Sequence, residues 1–232
     1  RIVAALAVRP NGLVAFAVGT GGSGRWVVRG RVGSRARLAG TALALAGLVP
    51  VGWAGPSRSA VGTPLLAAGL EFSDEDGGVV LHDAFGSGTP EDPITLVEDI
   101  TEDGPAVVTV RGMRTAFGNR ATPGHGVGFV LVKIVRNRTS RPWHSFEMEL
   151  REIKGRPSTF EDGLSFGQAM GGERVFGSDR FDTLRQTDEP LDSVVFSGAT
   201  IQPGESVTVR VVVTDFSPNW QFYILQRRDA PM

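Results

Sequence analysis

The sequence predicts an all-β fold, an antiparallel β-sandwich of immunoglobulin-like type, in a single domain behind a disordered or helical leader. Three observations predict it. From Leu70 onward, short apolar runs are separated by clusters of Gly, Pro, Asp and Asn. Several runs repeat with a period of two, the signature of a strand with one buried face. No long apolar stripe at helical spacing interrupts them, and a series of short strands joined by turns favours two packed sheets.

The elements follow in chain order. The runs 78–82, 94–100 and 106–111 are short and apolar, and Asp103-Gly104-Pro105 breaks the second from the third. From 127 to 135 both parities are apolar and Lys133 is the lone charge, so this strand is expected to lie centrally, covered on both faces. The segment 137–142 is polar and ends in Pro142. In the strand 143–152, Phe146, Met148 and Leu150 alternate with outward Glu147 and Glu149. Trp143 and Phe146 stand three residues apart, so a regular strand sends them to opposite faces. Both are nevertheless expected to be buried, through a bulge or twist at the strand start, because Arg141-Pro142 cannot pair regularly. Residues 154–190 are less regular and are expected to form an excursion or a short helix. A strand at 191–197 follows. Gln202-Pro203-Gly204-Glu205 then puts Pro and Gly at the centre of a type II turn. Beyond it, Val207, Val209, Val211 and Val213 alternate with Thr208 and Arg210, the clearest half-buried strand of the chain. The last strand is 221–226. No internal repeat and no second shift in composition divides this body, so one domain is expected at 70–232.

Charge separates that domain from what precedes it. The first seventy residues carry eight Arg and no acid, a formal +8. The remainder carries sixteen basic and twenty-five acidic residues, a formal −9, and the whole chain is −1. An arginine-only leader on an acidic body is the pattern of an export segment ahead of an exported domain. Arg31, Arg35 and Arg37 precede an uncharged stretch whose apolar part ends at Val49-Pro50, and small residues follow. That order makes 35–60 a signal-peptide-like segment, with cleavage expected after Ala54, or at Ser57 and Ser59 as second choice. A retained membrane anchor is the competing reading, against which the Gly and Pro of the stretch argue. Residues 1–34 are expected to be an unstructured leader or an over-extended reading frame. The protein is thus expected to be periplasmic or extracellular, touching a membrane only through an uncleaved leader. With no Cys in the chain, disulfides, thiolate metal sites and a Cys nucleophile are excluded.

Two motifs resemble chemistry they do not complete. Gly19-Thr20-Gly21-Gly22-Ser23-Gly24 matches the dinucleotide fingerprint, but no acidic residue follows until Glu71, so no cofactor is expected. Gly163-Leu164-Ser165-Phe166-Gly167 matches the nucleophile elbow of serine hydrolases. The Gly-rich residues after it cannot form the required helix, and His82, His125 and His144 all precede Ser165 rather than follow it. Catalysis at Ser165 is the least favoured reading, and no enzyme is expected. The three His have no ligand spacing. Acidic clusters at Asp74-Glu75-Asp76 and at Glu98-Asp99 to Glu102-Asp103 are read as loop charges, with Asp74, Asp76, Asp99 and Asp103 the candidate calcium ligands. Trp143, Trp220 and Tyr223 are the candidate sugar-stacking aromatics, although Trp143 suits a core anchor better and Trp220 the surface. The acidic body argues against nucleic acid.

The stretch Val135-Arg136-Asn137-Arg138-Thr139, continued by Pro142-Trp143-His144-Ser145-Phe146-Glu147-Met148-Glu149-Leu150, resembles an Asn-x-Thr…Trp-x-x-Phe-x-x-x-Leu hairpin. That hairpin occurs in exported bacterial β-sandwich proteins, some of them exosortase-sorted and PEP-CTERM-bearing. The segments 201–207 and 222–226 are similar to the closing strands of such domains. The resemblance covers about half of the body. It implies a fold and an export route, and not C-terminal anchoring, since no sorting motif stands before Met232. The function expected is a non-catalytic, exported cell-envelope protein with a structural or assembly role, its partner an envelope protein or a glycan. A glycan- or calcium-binding module is the alternative.

Overall fold

The computed structural model describes residues 62–121, 126–167, 176–187 and 190–229, together with four two-residue strands nearer the start. Those four lie in a unit at Arg1–Trp53: β1 (Val3–Ala4) pairs antiparallel with β4 (Val18–Gly19), and β2 (Ala7–Val8) with β3 (Val14–Ala15). The signal-like segment expected at 35–60 lies outside the described residues. So do His125 and, after Gly19, the glycine-rich motif.

Thirteen further strands, all in the unit Ala54–Met232, build two sheets. The larger has seven strands in the order β14 (Thr183–Thr187), β15 (Ser193–Ile201), β11 (Trp143–Arg151), β17 (Gln221–Arg228), β9 (Ala106–Arg111), β6 (Leu70–Ser73) and β5 (Leu65–Ala67). The smaller runs β12 (Leu164–Phe166), β16 (Ser206–Asp215), β10 (Val127–Asn137), β8 (Ile94–Ile100) and β7 (Val79–Phe85), with β13 (Gly177–Ser178) also paired to β16. One hydrophobic cluster joins their facing sides. It takes Phe129, Leu131 and Val135 from β10, Val207 to Val213 at odd positions from β16, Phe146, Met148 and Leu150 from β11, and Phe222 and Ile224 from β17. The body is therefore an all-β sandwich.

The period-two expectations hold residue by residue. Val209 and Val211 are fully buried while Arg210 is not, and β10 is central, flanked by β16 and β8. On its outward side Val130 is buried against Ala121 and Val212, and Val132 and Ile134 are half-buried. Gly204 takes a positive φ of 88° and the Glu205 N–H bonds the Gln202 carbonyl at 3.0 Å, the turn expected of Pro-Gly. The pairing of β11 with β15 shifts register between Trp143 and Ser145. This bulge turns Trp143 to the same side as Phe146, and their rings stack with centroids 6.3 Å apart.

Several features depart from the sequence reading. The β8–β10 pair is parallel, where every other strand pair among the described residues is antiparallel. After β8 the chain crosses to the opposite sheet for β9 and then returns, so β10 starts at the same end as β8. Glu98, read as a loop charge, lies inside β8 and faces the core with no exposed surface. The irregular stretch 154–190 holds a 3₁₀ turn at Phe160–Asp162 and the edge strands β12, β13 and β14. Strands β5 and β6 open the larger sheet ahead of the first strand expected.

Candidate binding surfaces at the sheet edges and one loop end

Among the described residues the large exposed apolar side chains fall into two groups. Leu66, Phe85 and Leu184 stand on β5, β7 and β14, which are both edges of the larger sheet and one edge of the smaller. Leu66, on a three-residue strand, is 72% exposed. An edge strand presents unpaired N–H and C=O groups, and an apolar side chain there adds surface that gains by being covered.

Ile153, Phe216 and Trp220 form the second group, at the end of the sandwich where β9, β11 and β16 finish and β17 begins. Backbone and side-chain bonds tie these loops together. The Gly112 N–H bonds Trp220 O at 2.9 Å, and the Phe216 N–H bonds Gly163 O at 3.2 Å. Ser217 Oγ donates to Asp162 O at 2.5 Å, and Asn219 Nδ2 donates to Glu152. Trp220 is 53% exposed, with the Arg114 guanidinium 4.5 Å above its ring. Beneath them Asp215 is buried and accepts the Ser217 N–H at 2.9 Å. Burial pushes its carboxyl up to about 7, helped by the negative charges of Glu152 and Asp162 and opposed by the Ser217 bond.

The aromatics named from sequence do not gather. Trp143 is 2% exposed and its indole N–H is used internally, donating to Thr139 Oγ1 at 3.1 Å. It starts β11, whereas Trp220 lies beyond the far end of that strand, roughly 25 Å away at the rise of a β-strand. Tyr223 is half-buried on the outer side of the larger sheet, beside Gln221. The four named carboxylates are likewise dispersed. Asp74 accepts the Gly62 and Leu81 N–H groups, both at 3.2 Å, and Asp76 takes Thr109 Oγ1 at 2.8 Å and Lys154. Asp99 pairs with Arg138 at 2.9 Å and His82 at 3.2 Å, and those bonds hold its carboxyl below the usual range against the opposing effect of burial. Asp103 faces Arg141 at 3.8 Å. Asp76 and Asp99 belong to opposite outer faces, since Thr109 and Asp99 both alternate with core residues of different sheets. Among the described residues no three acidic or His side chains converge on a metal-sized space.

Ser165 is 3% exposed in β12, opposite Thr214 of β16. His82 is engaged with Asp99, and His144 lies 3.5 Å from Asp229.

Two polar constructions escaped the sequence reading. Glu147 and Glu149 do point away from the core, yet they are buried there. Arg227 reaches Glu149 at 2.6 Å and Glu147 at 3.3 Å, and Arg151 reaches Glu149 at 2.6 Å. At the other end of the sandwich, Asn137 closes a network. Its Nδ2 donates to Arg141 O at 2.8 Å and Ile201 O at 3.0 Å, and its Oδ1 accepts from Thr139 N at 2.9 Å and Thr139 Oγ1 at 2.7 Å. The hairpin expected from the Asn-x-Thr…Trp pattern is instead a crossover, since β10 and β11 lie in different sheets, and the pattern is a structural clamp on that connection. Among the described residues no helix is long and apolar enough to cross a membrane. No protein-family model, curated protein or solved structure matches this chain.

Proposed function

We propose that this chain is a non-catalytic, exported β-sandwich that acts as a structural or assembly subunit of the cell envelope. The observation that carries the reading is the exposure of Leu66, Phe85 and Leu184 on three strands that end their sheets. Edges that stay unpartnered are blunted in most proteins by Lys, Pro or a covering loop, because they invite pairing. Here β7 has a bulge at Leu81/Asp83 and β14 carries Arg185, yet each of the three strands also exposes a large apolar side chain, which suits contact with a neighbouring subunit. The arginine-only leader, the signal-like segment and the hairpin resemblance support export. Photo-crosslinking residues placed at 66 and 184 in the native envelope test it. Discrete crosslinked species are expected, those from position 66 weakened by Leu184→Lys and those from position 184 by Leu66→Lys. Recovery of the chain only as a free monomer in the cytosolic fraction refutes the reading.

A second reading, ligand capture at the loop end, is favoured by one observation: Ile153, Phe216 and Trp220 are all exposed on loops bonded to one another. Quenching of Trp220 fluorescence by a glycan panel, abolished by Phe216→Ala, supports it. Unchanged fluorescence across the panel counts against it.

A further inference from the structure

The chain has two Lys, and one of them, Lys133, is buried in the sandwich with no exposed surface. It points inward from β10, at the parity of Phe129, Leu131 and Val135. Glu98 points inward from the adjacent β8, and its Oε1 lies 3.0 Å from Lys133 Nζ. Gln226 points inward from β17 of the opposite sheet, at the parity of Phe222 and Ile224, and its carboxamide lies close enough to Glu98 to act on that carboxyl. All three side chains are completely enclosed. Lys133 and Gln226 thus reach the same Glu98 carboxyl from facing sheets, which lie about 10 Å apart when packed.

As separate groups the three are poorly matched. Both Glu98 oxygens, Lys133 Nζ, and the Gln226 nitrogen and oxygen lack a well-angled hydrogen bond. The lysine and the carboxyl are within ion-pair distance but misaligned. Five polar atoms left so inside the core keep an uncompensated desolvation cost. Burial acts on the pair in one direction: it lowers the proton affinity of Lys133 and raises that of Glu98. The pair is thereby biased toward a neutral amine and a protonated carboxyl, a nucleophile beside an acid.

We propose that Lys133 and Gln226 become joined by an intramolecular amide bond, formed in the folded core with Glu98 carrying the protons. The Lys133 nitrogen adds to the Gln226 amide carbon while Glu98 protonates the amide oxygen. Glu98 then takes the proton from the attacking nitrogen, delivers one to the departing Gln226 nitrogen, and takes back the oxygen's proton as the C=O re-forms. The carbon–nitrogen bond to that nitrogen breaks, ammonia leaves, and Glu98 ends as it began. No oxidant or cofactor enters the balance. The product resolves the mismatch, because the new N–H and C=O complement the C=O and O–H of one protonated carboxyl. It also ties one sheet covalently to the other, an independent property that a hydrolase, a lectin or an assembly subunit could equally possess.

Intact-mass spectrometry of the purified, folded full chain tests the proposal, followed by peptide mapping. A mass lower by one ammonia is expected, with Lys133 and Gln226 recovered in one branched peptide. Lys133→Met and Glu98→Gln should each restore the full mass. If either variant fails to fold, the wild-type measurement still decides. A wild-type mass equal to that of the sequence, with the two residues in separate peptides, overturns the proposal and leaves a plain buried ion pair. Loss of ammonia mapped to any other Asn or Gln overturns it equally.

Discussion

Replacing Asn137 with Ala should be among the most damaging single changes outside the apolar core. The side chain is fully buried and holds four hydrogen bonds, two donated and two accepted. Their loss is not uniform. Thr139 Oγ1 already lies 3.2 Å from Arg141 O, so its proton can turn to that carbonyl and satisfy both groups. Ile201 O and the Thr139 N–H lose the partner that Asn137 gave them. At about 1–3 kcal/mol for each buried orphan, the expected loss is roughly 2–6 kcal/mol, a large part of a typical domain's stability. Asn137→Asp should be no milder, since it keeps both acceptors but removes both donors and buries a charge. Urea denaturation followed by Trp fluorescence measures this, as a lower midpoint with an unchanged slope. A loss below about 1 kcal/mol for Asn137→Ala would show that water or relaxation replaces the clamp, and that the β10–β11 crossover does not depend on it.

Four further outcomes are expected. Val211→Asp should cost roughly 4 kcal/mol or more, by placing an unpaired charge between the sheets. Arg210→Asp, which faces outward and gives up one bond to Pro90 O, should cost about 1 kcal/mol, and equal losses would mean the strand face is misread. Trp143→Ala should cost roughly 3–5 kcal/mol and Trp143→Phe about 1–2 kcal/mol, because the latter keeps most of the buried surface and loses the bond to Thr139; thermal melts distinguish them. Ala68 sits at φ 56° in the two-residue turn between β5 and β6, so Ala68→Asn should stabilise by about 0.5–1 kcal/mol in denaturant titration. Asp215 has a folded value raised from 3.8 to about 7, so the native state holds more protons than the unfolded chain between those values. Its contribution is therefore fully present at the acid side of 3.8 and is lost as pH rises through about 7; Asp215→Asn should flatten that decline and raise stability at about pH 8.

Much of the fold can be read along the chain because it follows from neighbours in sequence. Period two in 206–215 and 143–151 specifies which side chains go inward, and Pro203-Gly204 specifies a turn whose backbone only glycine adopts easily. Even the bulge at Trp143 was legible, from two aromatics at odd spacing behind a proline. The short strands β5, β12, β13 and β14 were not, since each is too brief to show a period and takes its conformation from the strand it borders. The β5–β6 hairpin hid for a second reason: Ala68-Gly69 is not a usual signal for its turn.

The candidate surfaces were less legible than the fold. Trp220 reads as exposed from its Pro-Asn flank, but Ile153 and Phe216 become its companions only when three loops meet at one end of the sandwich. Acidic residues look alike on paper, yet Glu98 is in the core, Glu149 is roofed by two arginines and Asp76 is pinned by Thr109 and Lys154. By itself the sequence determined the strand character, the facing of side chains and the charge division between leader and body, all of which depend on spacing over a few residues. Only the tertiary structure decided that β8 and β10 run parallel, that Leu66, Phe85 and Leu184 end on the outermost strands, and that Lys133, Glu98 and Gln226 converge. Those outcomes depend on which distant strands pair and face one another, a choice made by burial of the whole apolar surface and not by any local pattern.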